Sequence, residues 1–231
     1  AYPRSERTGL SIKVNPDVAP ALALQSAHRQ GGINEMHKEI SGVILAGGRA
    51  TRMGGEDKGL VSIAGIALYQ HVLARLRPQV ASVAISANRN QARYQASGLP
   101  VIGDLTPDFA GPLAGMLAGL KQAPNEWVAF VPCDVPDFPA DLVAQLWRQK
   151  GAAPAAFASD GERDHPTLAL LHTQIAPQLA DYLARGERKL MLFLHQINAQ
   201  RVVFSGQQTA FHNLNTPEDC LHWQQARELK T

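Results

Sequence analysis

The chain has 231 residues, of which 45% are hydrophobic and 18% are charged, a balance that excludes a wholly disordered or fibrous protein. Its 22 basic and 20 acidic residues give a formal net charge of +2 and form no basic stripe, so nucleic acid is not an expected partner. No apolar run approaches the roughly 20 residues that cross a bilayer, and no signal-peptide pattern is present. We therefore expect no membrane association and a cytoplasmic location.

The first 38 residues differ in pattern from the rest of the chain. They contain Ser, Pro, Arg, Gln and Gly without a sustained apolar period, which is typical of a flexible tail or an added leader segment. From residue 39 to residue 231 we find no interior linker and no internal repeat. This part is predicted to form a single domain.

From Ser41 onward, short apolar runs alternate with helical patterns, as in sheets built from βαβ units. Strands are predicted at residues 42–46, 82–86, 100–102, 127–131, 155–158, 167–171 and 201–204. Helices are predicted at residues 68–76, 112–120, 142–147, 175–184 and 190–196, and after Pro217. The alternation predicts a three-layer α/β/α, Rossmann-like domain with a mostly parallel central sheet.

A glycine-rich loop follows the first predicted strand, at residues 45–59 (LAGGRATRMGGEDKG). This is the end of the strand at which open α/β sheets bind ligands. Glycine lets backbone N–H groups approach an anion, and Arg49, Arg52 and Lys58 add charge that complements a triphosphate. The loop lacks the patterns of a P-loop and of a dinucleotide fingerprint. It predicts a phosphate-binding loop, the alternative being a basic loop that only keeps the sheet edge in solution.

Two aspartates come directly after predicted strands. Asp134 stands in the sequence PCD just past a buried strand, where a carboxylate can meet a hard cation that bridges phosphate oxygens. Its alternative role is that of a helix N-cap, for which Asp137 is better placed. Asp104 follows the strand at residues 100–102, and taken alone it is better interpreted as a turn residue.

Polar residues in the second half of the chain suggest a second binding region. His165 opens a predicted strand beside the charged turn at residues 160–164, so it either lines a pocket for an anionic substrate or is a locally satisfied turn residue. Asn213 and Asn215 alternate and point to one side of an extended segment. Asn215 precedes a helix start, so it is either a cap or turn residue or a contact to a metal or second substrate.

The loop at residues 45–59 closely resembles the signature loop of the nucleotidyltransferase superfamily, with LAGG, RMGG and DK in order. Within that superfamily the chain most closely resembles the molybdenum cofactor guanylyltransferase family, over about residues 41–223. Further matching motifs follow in the family's order at residues 86–89 (SANR), 101–104 (VIGD), 111–115 (GPLAG), 132–134 (PCD), 161–167 (GERDHPT) and 213–218 (NLNTPE).

The resemblance implies transfer of GMP from GTP to molybdopterin (Mo-molybdopterin), with release of pyrophosphate and formation of the molybdopterin guanine dinucleotide cofactor. It implies a Mg²⁺ cofactor held by Asp134. The catalytic residues it implies are Lys58, Arg52 and Asp134. The GTP-binding residues it implies are Leu45, Ala46, Gly47, Gly48, Lys58, Ser86, Asn88, Asp104 and Asp134. On the molybdopterin side it implies Asp164, His165, Asn213 and Asn215.

One position departs from the family pattern, because Ser86 stands where asparagine is usual. Proteins that deliver the molybdenum cofactor or insert it into enzymes are further expected partners. The alternatives are a cytidylyltransferase acting on the same cofactor or on a sugar phosphate, and a non-catalytic nucleotide sensor. The pair Gly47-Gly48 favours guanine, since relatives that use CTP tend to have Ala-Ala-Gly there, and the presence of both Lys58 and Asp134 argues against a sensor.

Overall fold

The structure, a computed structural model, describes residues 39–47, 55–105 and 111–230. In chain order the elements are β1 (Ile40–Leu45), β2 (Ser62–Ile63), β3 (Ile66–Ala67), α1 (Leu68–Leu76), β4 (Ser82–Ser86), α2 (Gln91–Gln95), β5 (Val101–Ile102), α3 (Pro112–Gln122), β6 (Trp127–Pro132), α4 (Leu142–Gln149), β7 (Ala155–Ser159), β8 (Asp164–His172), α5 (Ala176–Ala184), α6 (Leu190–Gln196), β9 (Gln200–Val203) and α7 (Pro217–Glu228). The predicted tail at residues 1–38 lies outside the described residues, as do Gly48 and Arg52.

Seven of the strands in the described part of the chain form one sheet, in the order β5-β4-β1-β6-β8-β7-β9. Only β8 runs antiparallel to its neighbours in this sheet. After β1 the chain first adds β4 and β5 on one side and then adds β6 on the other. The carboxyl ends of β1 and β6 therefore flank the point where the strand order reverses, which is where open α/β sheets bind ligands.

The central strand β1 is apolar throughout because both of its faces are covered. All six of its residues are buried, as is usual for a parallel strand with helices on either side. The register pairs Ile44 with Ile85 of β4 and with Val131 of β6. Gly119 of α3 allows that helix to approach the sheet closely, because a Cβ there would lie 2.8 Å from the ring of Phe130.

Helices cover the sheet on both faces. On one face α3, α5 and α6 enclose the main apolar core, which includes Leu117, Phe130, Phe157 and Leu179. On the other face α1 packs on β1, and α4 packs on β7, β8 and β9. The described residues belong to one compact unit, His37–Thr231. The predicted three-layer α/β fold with a mostly parallel sheet is confirmed.

A small second cluster attaches the last helix. The hairpin β2–β3 and helix α1 contribute Ile63 and Leu68, which pack with Leu214 and with Cys220 of α7. Helix α7 begins with a capping box, in which the Thr216 side chain accepts from the backbone N–H of Asp219 at 3.1 Å. This arrangement fixes the segment just before α7, which carries both asparagines singled out in the sequence.

The predicted helices and long strands all occur, with ends shifted by a few residues. One interpretation was wrong: Asp137 does not cap the next helix, because Asp141 occupies the N-cap position of α4. The Asp137 carboxylate instead accepts from the indole N–H of Trp223 at 2.7 Å. Within the described ranges, each helix is either too short or too polar to span a bilayer.

Candidate active site

A cavity of about 240 Å³ opens at the carboxyl edge of the sheet, at the reversal of strand order. Its walls come from the end of β1, the turn after the glycine-rich loop, the start of α3, the end of β6, one residue of β8 and the segment before α7. The lining residues are Leu45, Ala46, Gly47, Asp57, Lys58, Pro112, Pro132, Cys133, Asp134, Thr167 and Asn213.

The end of β1 presents backbone to this cavity. The Ala46 N–H donates to the Ser86 carbonyl at 2.8 Å, and the Leu45 carbonyl accepts from the Cys133 N–H at 3.1 Å. These bonds hold the chain between β4 and β6 until it leaves the sheet at the exposed Gly47. Because no Cβ is present at Gly47, an anion can approach the backbone closely there.

Lys58 is held in the cavity by two oxygen partners from distant parts of the chain. Its Nζ lies 2.8 Å from Oδ1 of Asn215 and 3.4 Å from Oδ2 of Asp134. The Asp134 backbone carbonyl also accepts from the Leu214 N–H at 2.8 Å. The end of β6, the 3-10 turn that begins at Lys58 and the segment before α7 therefore meet around one ammonium group.

Asp134 suits a hard divalent cation that is shared with substrate oxygens. Its side chain is 12% exposed and faces the cavity. In the described part of the chain, no group of three or more His, Cys, Asp or Glu residues is placed so that it could hold a metal ion, so an all-protein metal cage is absent there. Mg²⁺ usually keeps several waters and binds one or two carboxylates together with substrate phosphates. A single carboxylate beside the exposed backbone of Gly47 fits that chemistry.

Asn88 and Asp104 form a reciprocal pair beside the cavity. The Asn88 Nδ2 group donates to Oδ2 of Asp104 at 2.6 Å, and the Asp104 backbone N–H donates to Oδ1 of Asn88 at 2.8 Å. Partial burial raises the pKa of Asp104, and the hydrogen bond from Asn88 opposes that rise. The pair leaves a carboxylate fixed in direction at the ends of β4 and β5.

Ser86 lies beneath this region and not on its surface. The residue is 2% exposed, and a Cβ at Gly115 of α3 would lie 2.8 Å from its hydroxyl oxygen. Its backbone carbonyl holds Ala46 in place, as described above. The predicted contact between the Ser86 side chain and a nucleotide is therefore not supported by its position, because α3 covers the hydroxyl group.

His165 lies in β8, two residues before Thr167, which lines the cavity. The pairing of β8 with β7 shifts register between His165 and Ala169. The His165 ring stacks on Phe211 with centroids 4.7 Å apart, and its Nε2 lies 2.7 Å from Oδ2 of Asp160. That contact, with backbone N–H groups of the same turn, lowers the pKa of Asp160 to about 2.

The Asp164 side chain is not part of the cavity and pairs with a residue of β9. Its Oδ1 accepts from Nε of Arg201 at 2.6 Å, and the Arg201 guanidinium also donates to the Ser159 hydroxyl at 2.7 Å. Asp164 alternates with His165 along β8 and so lies on the other face of the strand. The structure does not bring Asp164 to the cavity, because this ion pair across β7 engages it.

Comparisons with known proteins agree with this geometry. The family model described as a MobA-like NTP transferase domain matches residues 42–201. A molybdenum cofactor guanylyltransferase of Serratia proteamaculans is 76% identical over 194 residues, which cover 84% of this chain and 98% of that protein. The chain belongs to the molybdenum cofactor guanylyltransferase family.

Other members and one solved structure extend the match. A molybdenum cofactor guanylyltransferase of Yersinia pestis is 60% identical over 192 residues, covering 83% of this chain and 98% of that protein. The crystal structure of molybdopterin-guanine dinucleotide biosynthesis protein A from Archaeoglobus fulgidus superposes with a TM-score of 0.67 at 21% identity, covering 81% of this chain and 98% of that chain. At that identity the superposition shows the shared fold.

The structure places most of the residues that were singled out from the sequence at the cavity or near it. Six line the cavity: Leu45, Ala46, Gly47, Lys58, Asp134 and Asn213. Asn215 touches Lys58, and the pair of Asn88 and Asp104 stands nearby. Asp57, Pro112 and Thr167 also line the cavity, although none of them is predicted as a site residue from the sequence. The signal for Asp57 was its place directly before Lys58, as the N-cap of the turn that carries that lysine.

Proposed function

We propose that this chain transfers GMP from GTP to molybdopterin, releasing pyrophosphate and forming the molybdopterin guanine dinucleotide cofactor. Nucleotidyl transfer is the activity of its family, and the curated relatives at 76% and 60% identity are named molybdenum cofactor guanylyltransferases. The observation that carries the proposal is the ammonium of Lys58 held by Asp134 and Asn215. These three groups lie beside exposed glycine backbone at the carboxyl edge of the sheet.

The reaction is an in-line displacement at the α-phosphorus of GTP. An oxygen of the molybdopterin phosphate forms the new P–O bond, the bond between the α-phosphorus and its bridging oxygen breaks, and pyrophosphate leaves with that electron pair. Lys58 offsets the charge that grows on the leaving group, and the backbone around Gly47 orients the triphosphate. Catalysis is by position and charge, so no protein nucleophile is needed.

Cys133 lines the cavity without entering this chemistry. Burial, and then the neighbouring Asp134 carboxylate, raise the pKa of its thiol above the ordinary range. The thiol therefore stays protonated at neutral pH, whereas the thiolate is the nucleophilic form. The phosphate of the acceptor already carries negative charge and can attack directly.

Asp134 would hold Mg²⁺ in the loaded enzyme. The cation would supply positive charge to phosphate oxygens that face Asp134 and Lys58. With Mg²⁺ bound, Asn215 would keep Lys58 in place, since its contact with Nζ, at 2.8 Å, is shorter than that of Asp134.

The surroundings of the enzyme form part of the same proposal. We propose a cytoplasmic location, which is the expectation drawn from the sequence. Proteins that deliver molybdopterin or receive the dinucleotide are proposed partners. The proposed contacts of the molybdopterin are Asn213, which lines the cavity, and the stacked rings of His165 and Phe211.

The test is pyrophosphate release from a purified chain with Mg²⁺ and molybdopterin, using GTP, CTP, ATP and UTP in parallel. Release that depends on molybdopterin and is fastest with GTP is expected. Faster release with CTP would identify a cytidylyltransferase, and release with a sugar phosphate in place of molybdopterin would change the acceptor. Nucleotide binding without release under saturating substrates would support the nucleotide sensor.

The affinity for GTP should fall as the pH is lowered, beginning at a higher pH than an ordinary carboxyl group would produce. As a carboxylate, Asp104 can accept hydrogen bonds from the N1 and N2 groups of guanine. Burial raises its pKa, so protonation removes this acceptor early in an acid titration. The measurement is the Kd for GTP between about pH 4 and pH 8, where unperturbed carboxyl groups ionise near pH 4.

The control for this titration is Asp104→Asn, which keeps the shape of the side chain. Its GTP affinity should be weak at every pH and should lose the acid-dependent step. A step that is unchanged in Asp104→Asn would assign the titration to another group and remove Asp104 from base recognition.

A further inference from the structure

Asp57 is a buried carboxylate with three hydrogen-bond partners. Its Oδ1 accepts from the Tyr94 hydroxyl at 2.6 Å and from the Gly59 N–H at 3.2 Å, and its Oδ2 accepts from Nδ2 of Asn90 at 3.2 Å. Tyr94 is fully buried. Burial, and then the bond to Asp57, raise the pKa of the Tyr94 hydroxyl, so it remains a donor. Both oxygens of Asp57 are thus occupied by donors, which sets this residue apart from Asp134.

These contacts fix the backbone that carries Lys58. Asp57 caps the 3-10 turn Lys58–Leu60, and Lys58 stands between the cap and Gly59. A Cβ at Gly59 would collide with the Tyr94 hydroxyl, so the turn and the tyrosine are in direct contact. The direction in which Lys58 leaves the backbone is therefore set by Asp57 and Tyr94.

Two partners of Asp57, Asn90 and Tyr94, belong to the segment that also carries Asn88 of the Asn88–Asp104 pair. Asn90 has a left-handed backbone conformation, with φ of 53°, and directly precedes α2, which carries Tyr94. The start of α2 is tied back to β4, because Nε2 of Gln91 donates to the Ala87 carbonyl at 2.9 Å. One short stretch, residues 87–95, thus contacts the lysine turn at one end and Asp104 at the other.

We propose that Asp57 and Tyr94 are positioning residues that couple the base side of the nucleotide site to the phosphate side. Through them, occupation of the region around Asn88 and Asp104 by a guanine base stabilises the turn that aims Lys58 at the triphosphate. The identity of the ligand rests on the proposed function. The coupling itself rests on the contacts of Asp57, Asn90 and Tyr94.

The test uses Tyr94→Phe, which removes one hydroxyl group, with Tyr182→Phe as the matched control. Tyr182 is also fully buried, and its hydroxyl donates to the Lys189 carbonyl at 2.7 Å, on the core formed with α5 and α6. Lys58→Ala serves as a third variant, which removes the ammonium group and keeps Asp57, Asn90 and Tyr94. Calorimetry measures the Kd of each variant for Mg·GTP and for guanosine without phosphates.

Tyr94→Phe should weaken binding of Mg·GTP by about ten-fold, the effect of one lost buried hydrogen bond, and should weaken guanosine by at least about three-fold. Lys58→Ala should weaken Mg·GTP and leave guanosine unchanged, and Tyr182→Phe should change neither. If Tyr94 had a purely structural role, Tyr94→Phe would change the affinities for Mg·GTP and for guanosine by the same factor. Guanosine affinity in Tyr94→Phe equal to that of the native chain would overturn the coupling.

Amide hydrogen exchange provides a test that needs no ligand. The N–H groups of Gly59 and Asp104, bonded to Asp57 and Asn88 respectively, should both exchange faster in Tyr94→Phe and not in Tyr182→Phe. Unchanged exchange at either amide would contradict the proposal. If the native chain binds neither guanosine nor GTP, the proposed function fails, while the exchange of these two amides still decides whether Asp57 and Tyr94 link the two sides.

Discussion

Replacing Asp134 with alanine should lower kcat/KM for pyrophosphate release by at least about 10³-fold, equivalent to roughly 4 kcal/mol of barrier. The substitution removes the carboxylate proposed to hold Mg²⁺ and one of the two oxygen partners of Lys58. Charge stabilisation by a bound metal is worth several kcal/mol in reactions of this kind. The rate is measured by coupled detection of pyrophosphate while the GTP concentration is varied at saturating molybdopterin.

Asp141→Ala is the control for this experiment, because Asp141 is exposed at the start of α4 and its side chain accepts only from Gln145 in the described structure. It should retain nearly full activity. A second variant, Asp134→Asn, should need a higher Mg²⁺ concentration for half-maximal rate. If Asp134→Ala kept more than a tenth of the native rate while folding normally, the proposed metal role would be lost.

Replacing Lys58 with alanine should lower kcat by about 10²- to 10³-fold, as removal of one preorganised charge-stabilising group does in other enzymes. The Lys58 side chain is 23% exposed, and its ammonium is already held in position by Asn215 and Asp134, so little reorganisation is needed when negative charge grows on the leaving pyrophosphate. The measurement is single-turnover release of pyrophosphate, which separates the chemical step from binding.

Lys58→Arg should restore little of this loss. A planar guanidinium is bulkier than an ammonium and donates in a fixed fork, whereas Asn215 and Asp134 surround a point charge. Lys121→Ala, on the exposed last turn of α3, is the matched charge control and should not change the rate. A loss of less than ten-fold in Lys58→Ala would mean that the backbone around Gly47 binds the phosphates largely alone.

Elements with a clear hydrophobic period could be predicted from the sequence, and very short ones could not. The nine residues of α1 show a buried face that includes Leu68, Val72 and Leu76, and a helix was predicted over the same residues. The hairpin β2–β3 has two residues in each strand, too few for a period-2 pattern. Its turn places Ala64 at φ of 53°, where sequence rules favour asparagine, aspartate or glycine.

The sequence predicts which residues meet where strand ends alone determine their position. Leu45 ends β1 and Asp134 follows the end of the neighbouring parallel strand β6, so the sequence order and the βαβ pattern suffice to bring them together. The burial of Ser86 could not be predicted from strand ends, because it depends on the close approach of α3 through Gly115. Asp164 likewise depends on Arg201, which reaches across β7 from a strand 37 positions later.

The network around Asp57 shows why positioning residues are hard to find in a single sequence. Its partner Tyr94 lies in the five-residue helix α2, and its partner Asn90 is the left-handed residue just before that helix. Neither feature has a period, and neither partner resembles a ligand-binding motif. Only the three-dimensional contacts reveal that the lysine turn and the base side share this carboxylate.

The reversed direction of β8 has a consequence for how this fold can change. Because β8 begins at the edge where the parallel strands end, it brings Thr167 to the cavity from the hairpin with β7, an element separate from the glycine-rich loop. With the acceptor contacts proposed above, substitutions in this hairpin would alter acceptor use without rebuilding the nucleotide loop. Descendants of one ancestral chain could exchange acceptors while keeping the same nucleotide, which makes this hairpin the natural starting point for directed evolution of new acceptor use.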